Sequence, residues 1–193
     1  MGGGLSLGKI FGMPIRLHYT WFLIFVLITA ALVAYFPQSY MLWQRVVFGL
    51  VLSALFLASV AAHELAHSLI ARTRGIRVRS VVLFMFGGVI HLSREMTKPA
   101  LELLLALVGP LASLLIAGLF LLIGQVLVSF GLQRENLVVT GMDWMAFINL
   151  MLALLNLIPA YPLDGGRVLR AIIWFKTHNY NRSTRVATFI GRG

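Results

Sequence analysis

His63, Glu64 and His67 stand in the run Ala61-Ala62-His63-Glu64-Leu65-Ala66-His67, inside an apolar stretch that carries no other charge from Val46 to Ala71. Four residues of α-helix turn through about 400°, so the two imidazoles share one face and can bind one metal ion. Glu64 stands beside them as a general base for an activated water, which completes the HExxH pattern of zinc hydrolases. A chance match on a solvated helix face is the competing reading. It weakens at membrane depth, where one ionisable group costs about 2.5–3.5 kcal/mol even on lenient insertion scales and a cluster of them calls for a bound partner.

The sequence contains no cysteine, so zinc would take nitrogen and oxygen ligands, and a catalytic site needs a third protein ligand beside an open position. Glu95 and Glu102 flank a basic connection, and Glu135 and Asp143 lie on the other side; solvated or interfacial roles are expected for all four. Asp164 closes Asn156-Leu157-Ile158-Pro159-Ala160-Tyr161-Pro162-Leu163-Asp164-Gly165-Gly166. Pro159 and Pro162 interrupt the helix there and the glycine pair lets the backbone turn closely, so this carboxylate can be aimed back at the histidines. Its alternative is to cap a helix that begins near Gly166.

Four segments are long and apolar enough to carry such a site: Ile15–Phe36, Val46–Ala71, Leu101–Phe130 and Leu137–Ala160, with a shorter helix over 166–176. With 60% hydrophobic and 11% charged residues and a mean hydropathy of +0.91, the chain has more apolar surface than one soluble core hides. The expected class is mainly α, a polytopic membrane helical bundle with a small β-hairpin or sheet on the cytoplasmic side. The first segment is too long for a signal-peptide core, and no Ala-x-Ala site follows it.

Of the 16 lysines and arginines, all but Arg45 and Arg134 cluster before the first segment, between the second and third, and after the fourth. By the positive-inside rule the N-terminus and the 72–100 connection are cytoplasmic. The net charge of +10 is therefore a topology signal, and no interleaved stacking or groove-reading motif argues for nucleic acid. His63 precedes Arg72 by nine residues, which puts the motif roughly 13 Å inside that edge. Tyr19, Trp21, Tyr35, Tyr40, Trp43, Trp144 and Tyr161 fall near segment ends, as interface anchors do.

HELAH on the second segment, followed by NLIPAYPLDGGRVLRA on a later one, resembles the site-2 protease family of intramembrane zinc metalloproteases. The opening Leu7-Gly8-Lys9-Ile10-Phe11-Gly12-Met13-Pro14-Ile15-Arg16-Leu17-His18 is similar to the branch that often carries cystathionine-β-synthase-type regulatory domains, which this sequence does not contain. The resemblance implies zinc as cofactor, His63, His67 and Asp164 as its ligands, Glu64 as base, and a transmembrane protein as substrate, cleaved within the lipid bilayer. It implies a single core over 1–193, truncated at the C-terminus because family cores commonly have six spans, and a prokaryotic cell membrane. Asn156 falls in the matched motif, where its amide would donate to a developing oxyanion; capping backbone freed by Pro159 is its other reading.

The 76–92 connection is rich in β-favouring residues, and Gly87-Gly88 permits a turn or bulge. The resemblance implies a short sheet near the active site. If its edge is free, Val81, Val82, Leu83, Phe84, Gly87 and Gly88 would receive an unwound substrate strand; otherwise the hairpin covers helix ends. Gly109-Pro110 is expected to kink the third segment or mark its start, and Gly109 with Ser113 suits close helix packing. Two other classes compete. A zinc transporter needs a polar path that the outer halves lack, and an inactive scaffold would normally lose the base, which Glu64 retains.

Overall fold

The computed structural model of the protein describes residues 4–84, 87–93 and 98–190. Phe86, expected in the sheet, and Glu95, expected at a solvated connection, lie outside them. Among the described residues six helices and four strands follow the order β1 (Gly4–Ile10), β2 (Met13–His18), α1 (Thr20–Tyr35), α2 (Leu42–Thr73), β3 (Val78–Phe84), β4 (Gly87–Leu92), α3 (Pro99–Ser129), α4 (Leu137–Asn156), α5 (Asp164–Thr177) and α6 (Tyr180–Ile190).

α2, α3 and α4 are long and apolar enough to cross a membrane, and the chain is an integral membrane protein. Side chains such as Phe22, Val26, Leu115 and Leu122 stand exposed on the bundle, as lipid-facing positions require. The 32 residues of α2 rise about 48 Å, more than the hydrocarbon thickness, so both ends of this helix emerge. Gln44 Oε1 accepts the Met41 N–H at its start (2.9 Å). α3 begins on Pro99, where a missing N–H costs nothing, and runs unbroken through the buried Pro110. The Asn136 side chain caps α4 by accepting from Val138 N–H (2.9 Å).

Two expected boundaries shift. The first helix starts at Thr20 and not at Ile15, because residues 13–18 form a strand in which Met13 and Ile15 are buried and Arg16 is exposed. That period of two lay at the head of a long apolar run and was masked by it. The fourth helix stops at Asn156, ahead of Pro159, and the segment from Leu157 to Leu163 folds back over the start of α5. A Cβ on Gly165 would strike the carbonyl oxygens of Leu157 and Ile158.

The sheet has the order β1-β2-β3-β4. β1 and β2 form an antiparallel hairpin closed at Phe11-Gly12, both with positive φ, the geometry that a two-residue turn needs to match strand twist. β2 runs parallel to β3 (Ile15 opposite Val81, Leu17 opposite Leu83), and β3 pairs antiparallel with β4. Ile15, Val81 and Leu83 pack with Val60 of α2 and Trp21 of α1. Trp21 is thus a core residue, and its indole N–H donates to Phe84 O (3.1 Å). A second core around Leu32, Phe36, Leu52 and Met145 closes the opposite end of the bundle. A third, of Ala71, Ile76, Leu105 and Trp174, joins the ends of α2, α3 and α5.

Candidate metal centre

His63 and His67 project from one face of α2 with ring centroids 5.1 Å apart, and both are buried. Asp164, the first residue of α5, reaches them from the far side: its Oδ2 lies 3.2 Å from His63 Nε2 and 3.1 Å from His67 Nε2. The helix it opens has no side-chain cap, so the carboxylate is turned to the histidines and away from the capping role. One donor atom from each of the three lies within 4.8 Å of the others.

The outer nitrogens are fixed from α3. His67 Nδ1 meets the Leu105 carbonyl at 2.5 Å and His63 Nδ1 meets Ser113 Oγ at 2.8 Å. A carbonyl only accepts, so Nδ1 of His67 carries a proton and, in the neutral ring, Nε2 presents a lone pair to the Asp164 oxygen. Lone pairs converging on one buried point repel each other unless a cation stands among them. An all-nitrogen-and-oxygen set of this size fits a zinc ion. α3 approaches closely enough for this because position 109 is glycine; a Cβ there would fall on Nε2 of both histidines. Gly109 and Ser113, expected only to pack helices, therefore shape the site itself. The i, i+4 spacing of these two small residues was the available signal, but their histidine partners were not.

Glu64 is buried beside the histidines, and its Oε1 accepts the Gly88 N–H at 2.7 Å. A Cβ on Gly88 would lie 2.7 Å from Glu64 Cδ, so the strand passes this close only as glycine. A cleft of about 620 Å³ opens onto the group, lined among others by Glu64, His67, Gly88, Asn156, Asp164 and Arg167. Arg167 Nη1 lies 3.8 Å from Asp164 Oδ1, the oxygen that the histidines leave free. Asn156 borders the cleft, but its amide donates to Leu152 O in its own helix (2.9 Å). His18 and His91 contact the hydroxyls of Thr20 (3.0 Å) and Ser80 (3.3 Å), away from this group.

Two expectations need correction. The stretch Val81, Val82, Leu83 is no free edge: β3 is an inner strand, paired with β2 on one side and β4 on the other. Phe84 ends that strand at the cleft, and the outer strand is β4, which carries Gly87 and Gly88. Glu102, expected to be solvated, has no exposed surface and pairs with Arg170.

The sequence profile of peptidase family M50 matches residues 51–138 and 131–193. The chain belongs to that family. It is 39% identical over its whole length to a candidate zinc metalloprotease, sll0528, of Synechocystis sp., covering 50% of that protein. To zinc metalloprotease MJ0392 of Methanocaldococcus jannaschii it is 36% identical, covering 52%. The chain thus spans about half the length of the curated relatives it matches. Its fold is that of a site-2 protease: the solved site-2 protease from M. jannaschii superposes with a TM-score of 0.68 at 35% identity, over 97% of this chain and 79% of the other.

Proposed function

We propose that this chain is the catalytic core of an intramembrane zinc endopeptidase that hydrolyses peptide bonds in or near transmembrane segments of other membrane proteins. The observation that carries this is the meeting of His63, His67 and Asp164, with Glu64 beside them, at a cleft lined by the membrane-crossing helix α2, the β4 strand and the segment leading into α5. His63, His67 and Asp164 would hold the zinc, which when bound acts as a Lewis acid on the scissile carbonyl and on water. Glu64 takes the proton from the attacking water and returns it to the departing amine, and the Gly88 N–H fixes which carboxylate oxygen stays turned to the strand.

The substrate must arrive extended, since a helix hides its carbonyls in i to i−4 bonds. β4 supplies the outer edge of the sheet beside Glu64, and a substrate strand added there would be carried by main-chain hydrogen bonds. The clustering of basic residues argues that the N-terminus and this end of the bundle face the cytoplasm. Transport gains no support, because among the described residues a single group of metal-binding side chains is found, with none continuing along the spans. Metal analysis of the purified protein together with cleavage of single-span substrates tests the proposal: zinc at one per chain and cleavage lost on chelation are expected. Cleavage that persists without metal would overturn it.

A further inference from the structure

Glu102 sits in the first turn of α3 with its carboxylate wholly buried. Its Oε1 accepts from Arg170 Nε at 2.7 Å and from Nη2 of the same guanidinium. The Arg170 guanidinium lies over two rings, Tyr161 at 5.6 Å and Tyr180 at 5.0 Å, and Tyr180 packs edge-on to Trp174 (4.9 Å between centroids). Burial alone would lower the Arg170 pKa, but the hydrogen bonds and charge of Glu102 outweigh it and the net shift is upward. The guanidinium therefore stays charged.

Stability does not account for such a pair. Desolvating two charges costs as much as their attraction returns, and apolar residues of similar volume commonly replace buried ion pairs without loss. What a flat guanidinium held by two nitrogens and flanked by two rings supplies is fixed geometry. The anchors of this one lie where geometry matters. One turn along α3 from Glu102 is Leu105, whose carbonyl holds His67. Arg170 rides on α5, the helix that opens with Asp164, and Tyr161 belongs to the segment that brings the chain into it.

We propose that Glu102 and Arg170, with the guanidinium over the Tyr161 and Tyr180 rings, form a positioning clamp that sets α5 against α3 so that Asp164 meets His63 and His67. The clamp rests on the reading of Asp164 as a zinc ligand. Neither Glu102 nor Arg170 touches the metal-binding group, so both act through the helices they join.

The test compares zinc affinity, read by competition with a chelator, with thermal unfolding of the metal-free protein in detergent. The double variant E102L/R170M removes both charges together and is expected to unfold like the parent while binding zinc roughly 10- to 100-fold more weakly, the scale of lost ligand-orienting contacts. R170K keeps the charge but loses the two-nitrogen grip and the planar group over the rings; it is expected to weaken zinc binding as well, and it decides the matter if the double variant does not fold. Parent-like zinc affinity in the folded double variant, or in R170K where that variant fails, would overturn the clamp. D164A in parallel separates the two levels. If D164A loses affinity while the clamp variants do not, only the clamp falls; if D164A binds zinc like the parent, the ligand reading falls and the clamp with it.

Discussion

The two halves of the candidate centre are built differently. His63, Glu64 and His67 come from one helix, and their mutual placement is a property of 3.6 residues per turn. Asp164 comes from 101 residues beyond His63, and Gly88 from a strand edge 24 residues beyond Glu64. The first half needs only that α2 be helical. The second needs a helix stop at Asn156, a folded-back segment, a sheet of correct order and a helix pair held in register. Local geometry supplies two histidines and the proposed base, while tertiary packing supplies the third candidate ligand and holds the Glu64 carboxylate.

Breaking the helical half should give the largest effects. H63A or H67A is expected to bring bound zinc to background and to abolish cleavage, whereas D164A, which leaves both imidazoles on α2, should retain weaker binding. Metal content measured across the three variants checks the order. If D164A lost zinc as completely as the histidine variants, the tertiary half would matter as much as the helical one.

Glu64 separates binding from chemistry. Gly88 N–H holds its Oε1, and it is not one of the three converging side chains, so E64Q should keep zinc while cleavage falls by about 10²- to 10⁴-fold, the span of general acid–base catalysis. Loss of zinc in E64Q would instead make Glu64 a ligand. A smaller effect is expected at Ser113, which touches the centre only through His63 Nδ1. S113A should lower zinc affinity by roughly 10- to 100-fold and leave the folded bundle intact, as for other residues that orient a metal-binding histidine. An unchanged affinity would mean that α2 alone orients that ring.

The strand edge lets the tertiary half be tested without touching metal. Gly88 N–H points out of the sheet to Glu64, and outward groups recur every second residue, so Ile90 N–H also points outward while Val89 N–H faces Val82. I90P should therefore weaken substrate binding roughly two- to tenfold, the worth of one main-chain hydrogen bond, at constant zinc. V89P breaks the β3 pairing and should cost stability. Equal effects of the two on substrate binding would argue against strand addition at this edge.

The same division explains what could be read from the residues. HELAH and the long apolar segments are short-range patterns, and the structure builds helices on them; the aspartate closing the proline-rich turn could be singled out by its local sequence, but its meeting with the histidines is a tertiary contact. The inner position of β3 could not be read, because it depends on β2, and Ile15 and Leu17 look like the start of a span when followed by an unbroken apolar helix. Glu102 looked solvated beside so many arginines, since nothing near it in sequence announces Arg170, 68 residues away. Gly109 and Ser113 carried a packing signal, but only the assembled bundle shows that the surface they clear is occupied by the two imidazoles.

Asn156 lies where the two halves meet, and its contribution should be the smallest. It borders the cleft, which suits a donor to the developing oxyanion, but one amide hydrogen is spent on Leu152 O at the last turn of α4. A preorganised oxyanion donor typically costs about 10²–10³ in rate when removed, because it is already aimed at the charge that forms. An amide engaged in its own helix is not so aimed. N156A is therefore expected to reduce the cleavage rate by less than about tenfold, well short of the loss from a preorganised donor. It should also raise the protein's sensitivity to unfolding slightly, since the Leu152 carbonyl loses a partner near the helix end. Measuring the rate at saturating substrate for N156A and for N156D, which keeps the size but removes the donor, decides between the two roles. A hundredfold fall in both, with zinc unchanged, would show that the amide leaves Leu152 and turns to the reacting carbonyl once substrate is bound.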